Sequence, residues 1–240
     1  EYGLLNKASL GAINRQLNMF DQQDTSAFFG EEAIDLKDFE GVVGSYGVIN
    51  RLDASKLFRQ PKLYATVLLW LLSELYEHYE EVGDVDQPKM VFFFDEAHLI
   101  FDKISDVLLS QIEQVIRLIR SKGIGIYFIT QMPNDLPDSV LSQLGNRIQH
   151  GLRAYTAKEI SQLKLAVQGY RVNPLLDLQK VFLELGLGEA VVSFLDESGV
   201  PSVSERVWIL PPKSHIGSLV HVEYFNNQPL YKKYYEVVDR

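Results

Sequence analysis

Two adjacent acids, Asp95 and Glu96, close an unbroken apolar run, Met90-Val91-Phe92-Phe93-Phe94, and Ala97-His98 follow them. Adjacent carboxylates suit water-driven attack at phosphorus. One orders Mg²⁺ through its water shell, and the other polarises the water that attacks. Asp95 is the candidate metal ligand and Glu96 the candidate base. A second polar pair, Thr130-Gln131, ends a second apolar run, Ile124–Ile129. A neutral amide beside the acids can hold the water or sense a terminal phosphate without adding charge. An acidic turn that simply ends a strand is the lesser reading of Asp95-Glu96, whereas Thr130-Gln131 seen alone equally suits an ordinary polar strand end; the pairing of the two ends points to a site.

Two arginines, Arg147 and Arg153, flank a third alternating segment. An arginine at a phosphate rim, supplied from an adjacent subunit, accelerates phosphoryl transfer by about 10³–10⁵. An ordinary surface ion pair is the competing reading. It stands level with the first for Arg147 and is favoured for Arg153. Thr130 and Arg153 are the candidate nucleotide contacts. His98 is placed as a supporting or packing residue rather than a catalyst. His78, His150, His215 and His221 have no metal-ligand spacing.

The acids need a scaffold. A fully apolar run bounded by charge reads as a strand buried on both faces, the habit of parallel sheets, whose carboxyl ends bind ligands. Pro61 opens a long helix to about Glu81, apolar almost all round at Val67–Leu72 and so buried against a sheet or another subunit. Ile104–Ser121 forms a helix with Ile104, Val107, Leu108, Ile112, Val115 and Ile119 on one stripe, ended by Gly123. Arg147–Ala154 reads as a third strand. Thr156 caps a helix to about Gln168, with Glu159 completing a capping box. Pro174 starts a helical stretch to Leu185. Strands Ala190–Leu195 and Val203–Leu210 are joined by a turn at Asp196–Gly199. Earlier in the chain, residues 6–20 read as a helix and Gly47–Asp53 as a strand; Ala33–Phe39 is either helical or extended. Alternating strands and helices imply a parallel α/β sheet with right-handed crossovers.

The 240 residues carry 23 basic and 32 acidic side chains, a net charge of −9. That balance argues against coating nucleic acid with a broad basic face and leaves room for a narrow contact through loops. Cysteine is absent, which excludes disulfides and cysteine-ligated zinc and fits a cytoplasmic protein. No apolar stretch reaches the length of a membrane span.

In this order, the motifs resemble the HerA-like helicase C-terminal family of the HerA–FtsK ATPases. The resemblance rests on Gly47-Val48-Ile49-Asn50, Pro61–Thr66, Val91–Leu99, Ile116–Gly123, Thr130-Gln131 and Leu144-Gly145-Asn146-Arg147, and is extended by Gly188-Glu189-Ala190 and Pro229-Leu230-Tyr231. It implies a three-layer P-loop core of RecA/HerA type, a homohexameric ring, ATP and Mg²⁺ as cofactors, and ATP-driven movement of double-stranded DNA. On that pattern Asp95 and Glu96 are the Walker B pair, Gln131 the sensor and Arg147 the candidate finger acting on a neighbour. It also implies a phosphate loop with its strands ahead of Glu1, because no Gly-x-x-x-x-Gly-Lys-Ser/Thr occurs in the chain. The expected core is thus incomplete at its N-terminal side. The expected organisation is a helical segment over 1–45, the Walker B half of the core over 46–155, a helical segment over 156–187, a β-hairpin over 188–212 and a tail over 213–240.

Two other readings compete. Asp-Glu-Ala-His also occurs in DEAH-box helicases, whose further motifs are absent here. A non-catalytic assembly module would use the apolar helix and the Tyr-rich tail for subunit contact. Without a phosphate cradle the 240-residue chain is expected to have negligible affinity for ATP·Mg²⁺. Calorimetric titration should show no heat of binding at micromolar nucleotide; a micromolar isotherm would contradict the assignment of the cradle to other residues.

Overall fold

The computed structural model describes residues 35–54, 57–83, 85–102, 104–214, 228–229 and 231–233. The helix expected over 6–20 and most of the tail lie outside them. The chain divides into two compact units, Glu1–Asn50 with His215–Arg240, and Arg51–Ser214.

In the first unit a single 3₁₀ turn, Leu36–Phe39, follows Asp35, whose carboxylate accepts the Lys37 N–H. A short antiparallel hairpin pairs β1 (Val42–Val43) with β2 (Tyr46–Gly47). The strand expected over Gly47–Asp53 is therefore corrected: its ladder runs only through Gly47. Ile49 is 95% exposed, so among the described residues this segment buries no apolar side chain there.

The second unit begins with α1 (Pro61–His78), opened by Pro61 at its first helical position, where a missing N–H costs nothing. It ends three residues before the expected Glu81. Leu68, Leu72 and Leu75 are buried. Its helical neighbours are α2 (His98–Phe101) and α3 (Asp106–Leu118). Ser105 caps α3 by accepting the Leu108 N–H. The helix accordingly starts later than Ile104. Its buried stripe is Ile112, Ile116 and Ile119, while Val107, expected inside, is 70% exposed. A 3₁₀ turn, Ile119–Lys122, ends at Gly123, whose φ of 74° is the left-handed cap that glycine adopts without strain.

Strands β3 (Met90–Phe94) and β4 (Ile124–Phe128) pair in parallel, Met90 opposite Ile124 through Phe94 opposite Phe128. Side chains alternate between the faces of this pair. On one, Phe92 and Phe94 stack, and Phe94 stacks on Phe128, against which Phe101 packs edge-on. On the other, Phe93 and Tyr127 stack at 4.8 Å and remain 65% and 51% exposed. The expectation of strands buried on both faces is thus corrected. Apolar content marks the strands, but only one face is covered among the described residues.

Beyond α4 (Asp138–Leu141), β5 (Arg147–His150) joins β6 (Glu189–Ser193) and β7 (Glu205–Trp208) in an antiparallel sheet of order β5-β6-β7. The third strand is therefore not a parallel neighbour of β3 and β4. Between β4 and β5 lie only a 3₁₀ turn and the one-turn α4, not the long helix of a βαβ crossover. Among the described residues the parallel arrangement is confined to β3 and β4. Helices α5 (Ala157–Gln168) and α6 (Leu178–Glu184) supply the core beside this sheet, with Phe182, Leu163 and Val191 in one buried cluster. Thr156 and Glu159 form the expected capping box of α5, and the backbone N–H groups of Tyr155 and Thr156 hold the Glu159 carboxyl below its usual range. Helix α6 starts at Leu178, after an Asp177 cap, rather than near Pro174. The result is a mixed α/β fold with a parallel pair and a separate antiparallel sheet. Among the described residues no helix is long and apolar enough to cross a membrane.

Candidate functional site

The candidate site grows from the carboxyl ends of β3 and β4. The parallel ladder continues past both strands: the Ile129 N–H donates to the Phe94 carbonyl and the Ala97 N–H to the Ile129 carbonyl, each at 2.9 Å. These bonds fix Asp95 and Glu96 against Thr130 and Gln131. The Gln131 amide Nε2 donates to the Glu96 carboxylate, 3.1 Å from Oε1 and 3.4 Å from Oε2. The structure therefore brings together two of the side chains singled out for chemistry, 35 residues apart in sequence.

Asp95 is exposed, and its Oδ1 accepts the backbone N–H of Glu96 at 3.0 Å. Glu96 has a φ of 49°, the left-handed region that residues with a side chain enter only when neighbours over-determine it. The chain turns here from strand into α2. The Thr130 hydroxyl donates to the Met132 carbonyl at 3.4 Å, closing a local turn. Met132 packs against the cluster around Phe182, and the Asn134 amide donates to the Gln162 carbonyl of α5 at 2.7 Å. Both ends of the Gln131 loop are thus anchored, one in a strand and one on a helix.

Tyr64, in the first turn of α1, belongs to this neighbourhood. Burial chiefly, and the negative charge of Asp95 in addition, push its hydroxyl pKa above the usual value. Tyr64 lies within the Pro61–Thr66 motif but was not among the residues expected at the site. Its signal was an aromatic residue with a hydroxyl one turn after the helix-opening Pro61.

The two arginines bind elsewhere. Arg147 donates to the carbonyls of Gly169 at 2.8 Å, Leu144 at 3.4 Å and Leu141 at 3.5 Å, and lies 5.8 Å from the Tyr170 ring centroid. Arg153 donates to the carbonyls of Leu152, Leu183 and Leu185. Most of these acceptors lie at the C-terminal ends of α4, α5 and α6, where helices leave carbonyls unpaired and favour cations. None of the hydrogen bonds described for either arginine reaches Asp95, Glu96, Thr130 or Gln131. The ion pair expected for Arg153 is replaced by carbonyl capping. A side chain on Gly169 would meet the Arg147 guanidinium and require that flexible group to shift.

A bidentate ion pair was not anticipated as such. Arg206 forks onto Glu189, Nε to Oε1 at 3.0 Å and Nη2 to Oε2 at 2.6 Å, and the Gly186 N–H adds a third bond. Arg206 chiefly, then Gly186, holds the Glu189 carboxyl below its usual range. The two residues are diagonal neighbours across β6 and β7. Their place is structural.

Among the described residues no group of three or more His, Cys, Asp or Glu converges on a metal position. A lone exposed carboxylate such as Asp95 can hold an ion only together with water and substrate oxygens. That donor set suits Mg²⁺ and not zinc.

Over residues 1–240 the chain matches the family described as helicase HerA-like C-terminal. No curated protein matches it. Among solved structures it is similar to the genome packaging NTPase B204 from Sulfolobus turreted icosahedral virus 2 in complex with AMP, at 18% identity over 74% of this chain and 74% of that one, with a TM-score of 0.41.

The packing around Arg147 makes a prediction about stability. Tyr170 is 8% exposed, and burial pushes its pKa up to about 12, against a smaller lowering by Arg147. The folded state therefore keeps a proton that the unfolded chain loses above pH 10. Stability should be unaffected by this group below that pH and should fall by roughly 2–3 kcal/mol as pH rises from about 10 to 12. Chemical denaturation of wild type and Tyr170→Phe across that range checks this, and the variant should show the smaller loss.

Proposed function

The chain belongs to the helicase HerA-like C-terminal family, and from that membership we propose that it is the water-activating half of an ATP-hydrolysing motor domain. The observation that carries the reading is the contact between the Gln131 amide and the Glu96 carboxylate across the ends of adjoining parallel strands. Family membership over the whole chain also sets aside the DEAH-box reading, which rested on one tetrad.

In this reading Asp95 holds the water shell of Mg²⁺, Glu96 accepts a proton from the attacking water, and Gln131 orients that water. Mg²⁺, when bound, neutralises charge that builds up on the phosphate oxygens. Thr130 fixes the turn that presents Gln131. The 240 residues contain no phosphate loop, so in this reading the phosphate-cradling residues are supplied from outside them. On this proposal the parallel pair belongs to a three-layer P-loop core. Arg147 and Arg153 act as helix-end clamps. A finger role for Arg147 would require it to leave its carbonyl partners. We further propose, from the family alone, that the motor works in a hexameric ring of identical chains that moves along double-stranded DNA.

The test uses the complete polypeptide. Glu96→Gln keeps the size of the side chain and removes the base. It should retain ATP binding and lower hydrolysis at least a hundredfold, consistent with loss of a general base. Binding is measured by calorimetry and turnover by phosphate release. Wild-type turnover in the variant would remove Glu96 from the mechanism.

A further inference from the structure

Glu96 has a second polar neighbour besides Gln131. His98 opens α2, and its Nδ1 lies 3.3 Å from Glu96 Oε2. That nitrogen is buried and makes no hydrogen bond, so the ring is close to the carboxylate but not aligned with it. A buried ring nitrogen without a partner is uncommon and costs free energy. Here the cost falls beside a residue whose backbone is itself strained, with a φ of 49°.

Both oxygens of Glu96 face the Gln131 amide, at 3.1 and 3.4 Å. A carboxylate held in this way and an amide engaged in holding it are both poorly placed to receive water. A small rotation of the Glu96 side chain toward α2 would align Oε2 with the His98 ring. It would pair the buried nitrogen, leave Oε1 open and release the Gln131 amide. His98 and Gln131 are therefore alternative partners for one carboxylate.

We propose that His98 is a positioning residue for Glu96, donating from Nδ1–H to Oε2 in the state that activates water. This rests on the reading of Glu96 as the base. The conformation described is the other station, in which Gln131 occupies the carboxylate. Asparagine can imitate the proposed contact, since its amide nitrogen can be placed where Nδ1 lies. Alanine cannot.

In the complete polypeptide, His98→Ala should lower kcat for ATP at least tenfold and leave KM within about twofold, because the contact is made on the way to the transition state. His98→Asn should restore kcat to within about threefold of wild type. Normal kcat in His98→Ala, equal losses in both variants, or a loss carried by KM would each overturn the proposal. Glu96→Gln is measured in parallel. A dead Glu96→Gln with a normal His98→Ala sinks only the role of His98, whereas an active Glu96→Gln sinks the reading of Glu96 and this proposal with it. A second measurement needs no turnover. Long-range ¹H–¹⁵N spectra of the complete polypeptide saturated with a non-hydrolysable ATP analogue and Mg²⁺, with the His98 signals identified by their loss in His98→Asn, should show the Nδ1-protonated tautomer; an Nε2-protonated ring in that state would overturn the proposal.

Discussion

The parallel pairing of β3 with β4 is the constraint on which the site depends. In a parallel pair both strands finish at the same edge, so whatever follows each strand is delivered to one place. The ladder does not stop at the last strand residues. Bonds from Ile129 to Phe94 and from Ala97 to Ile129 carry it into the two turns. Glu96 and Gln131 meet because of that continuation.

The surrounding elements each remove a degree of freedom from this edge. Helix α2 starts directly after the acids and forces Glu96 through a left-handed turn. The Gln131 loop is tied down by Met132 in the core around Phe182 and by Asn134 on α5. Helix α5 is itself held at its far end by Arg147, whose guanidinium also reaches the end of α4. An arginine far from the acids in its bonding can thus matter to the site through the helices it caps. The antiparallel sheet is fastened separately by Glu189 and Arg206.

What could be read in the sequence was governed by how local the physics is. The Thr156–Glu159 capping box and the Gly123 cap involve residues within a turn of each other, and both stand where expected. Strands β3 and β4 were legible because charge and glycine bound their apolar runs, and the meeting of Glu96 with Gln131 followed from their pairing. The partner of β5 was not legible, since strand direction is decided by a distant segment, β6. Coverage of the sheet was not legible either. Phe93 is as apolar as Phe92 and Phe94, yet it stacks with Tyr127 on a face left open among the described residues. The arginines mark a further limit. Their chemistry was plain, but their acceptors are backbone carbonyls, which every residue carries and no sequence pattern distinguishes.

The central claim is that Glu96 and Gln131 act on one water from one sheet edge, and a double-mutant cycle in the complete polypeptide tests it most directly. Single-turnover ATP hydrolysis is compared for wild type, Glu96→Ala, Gln131→Ala and the double variant. Residues that act as a unit lose little more together than the worse one loses alone. The double variant should therefore fall within about threefold of the slower single variant. Losses that multiply would show that the two side chains work independently, and the account would fail.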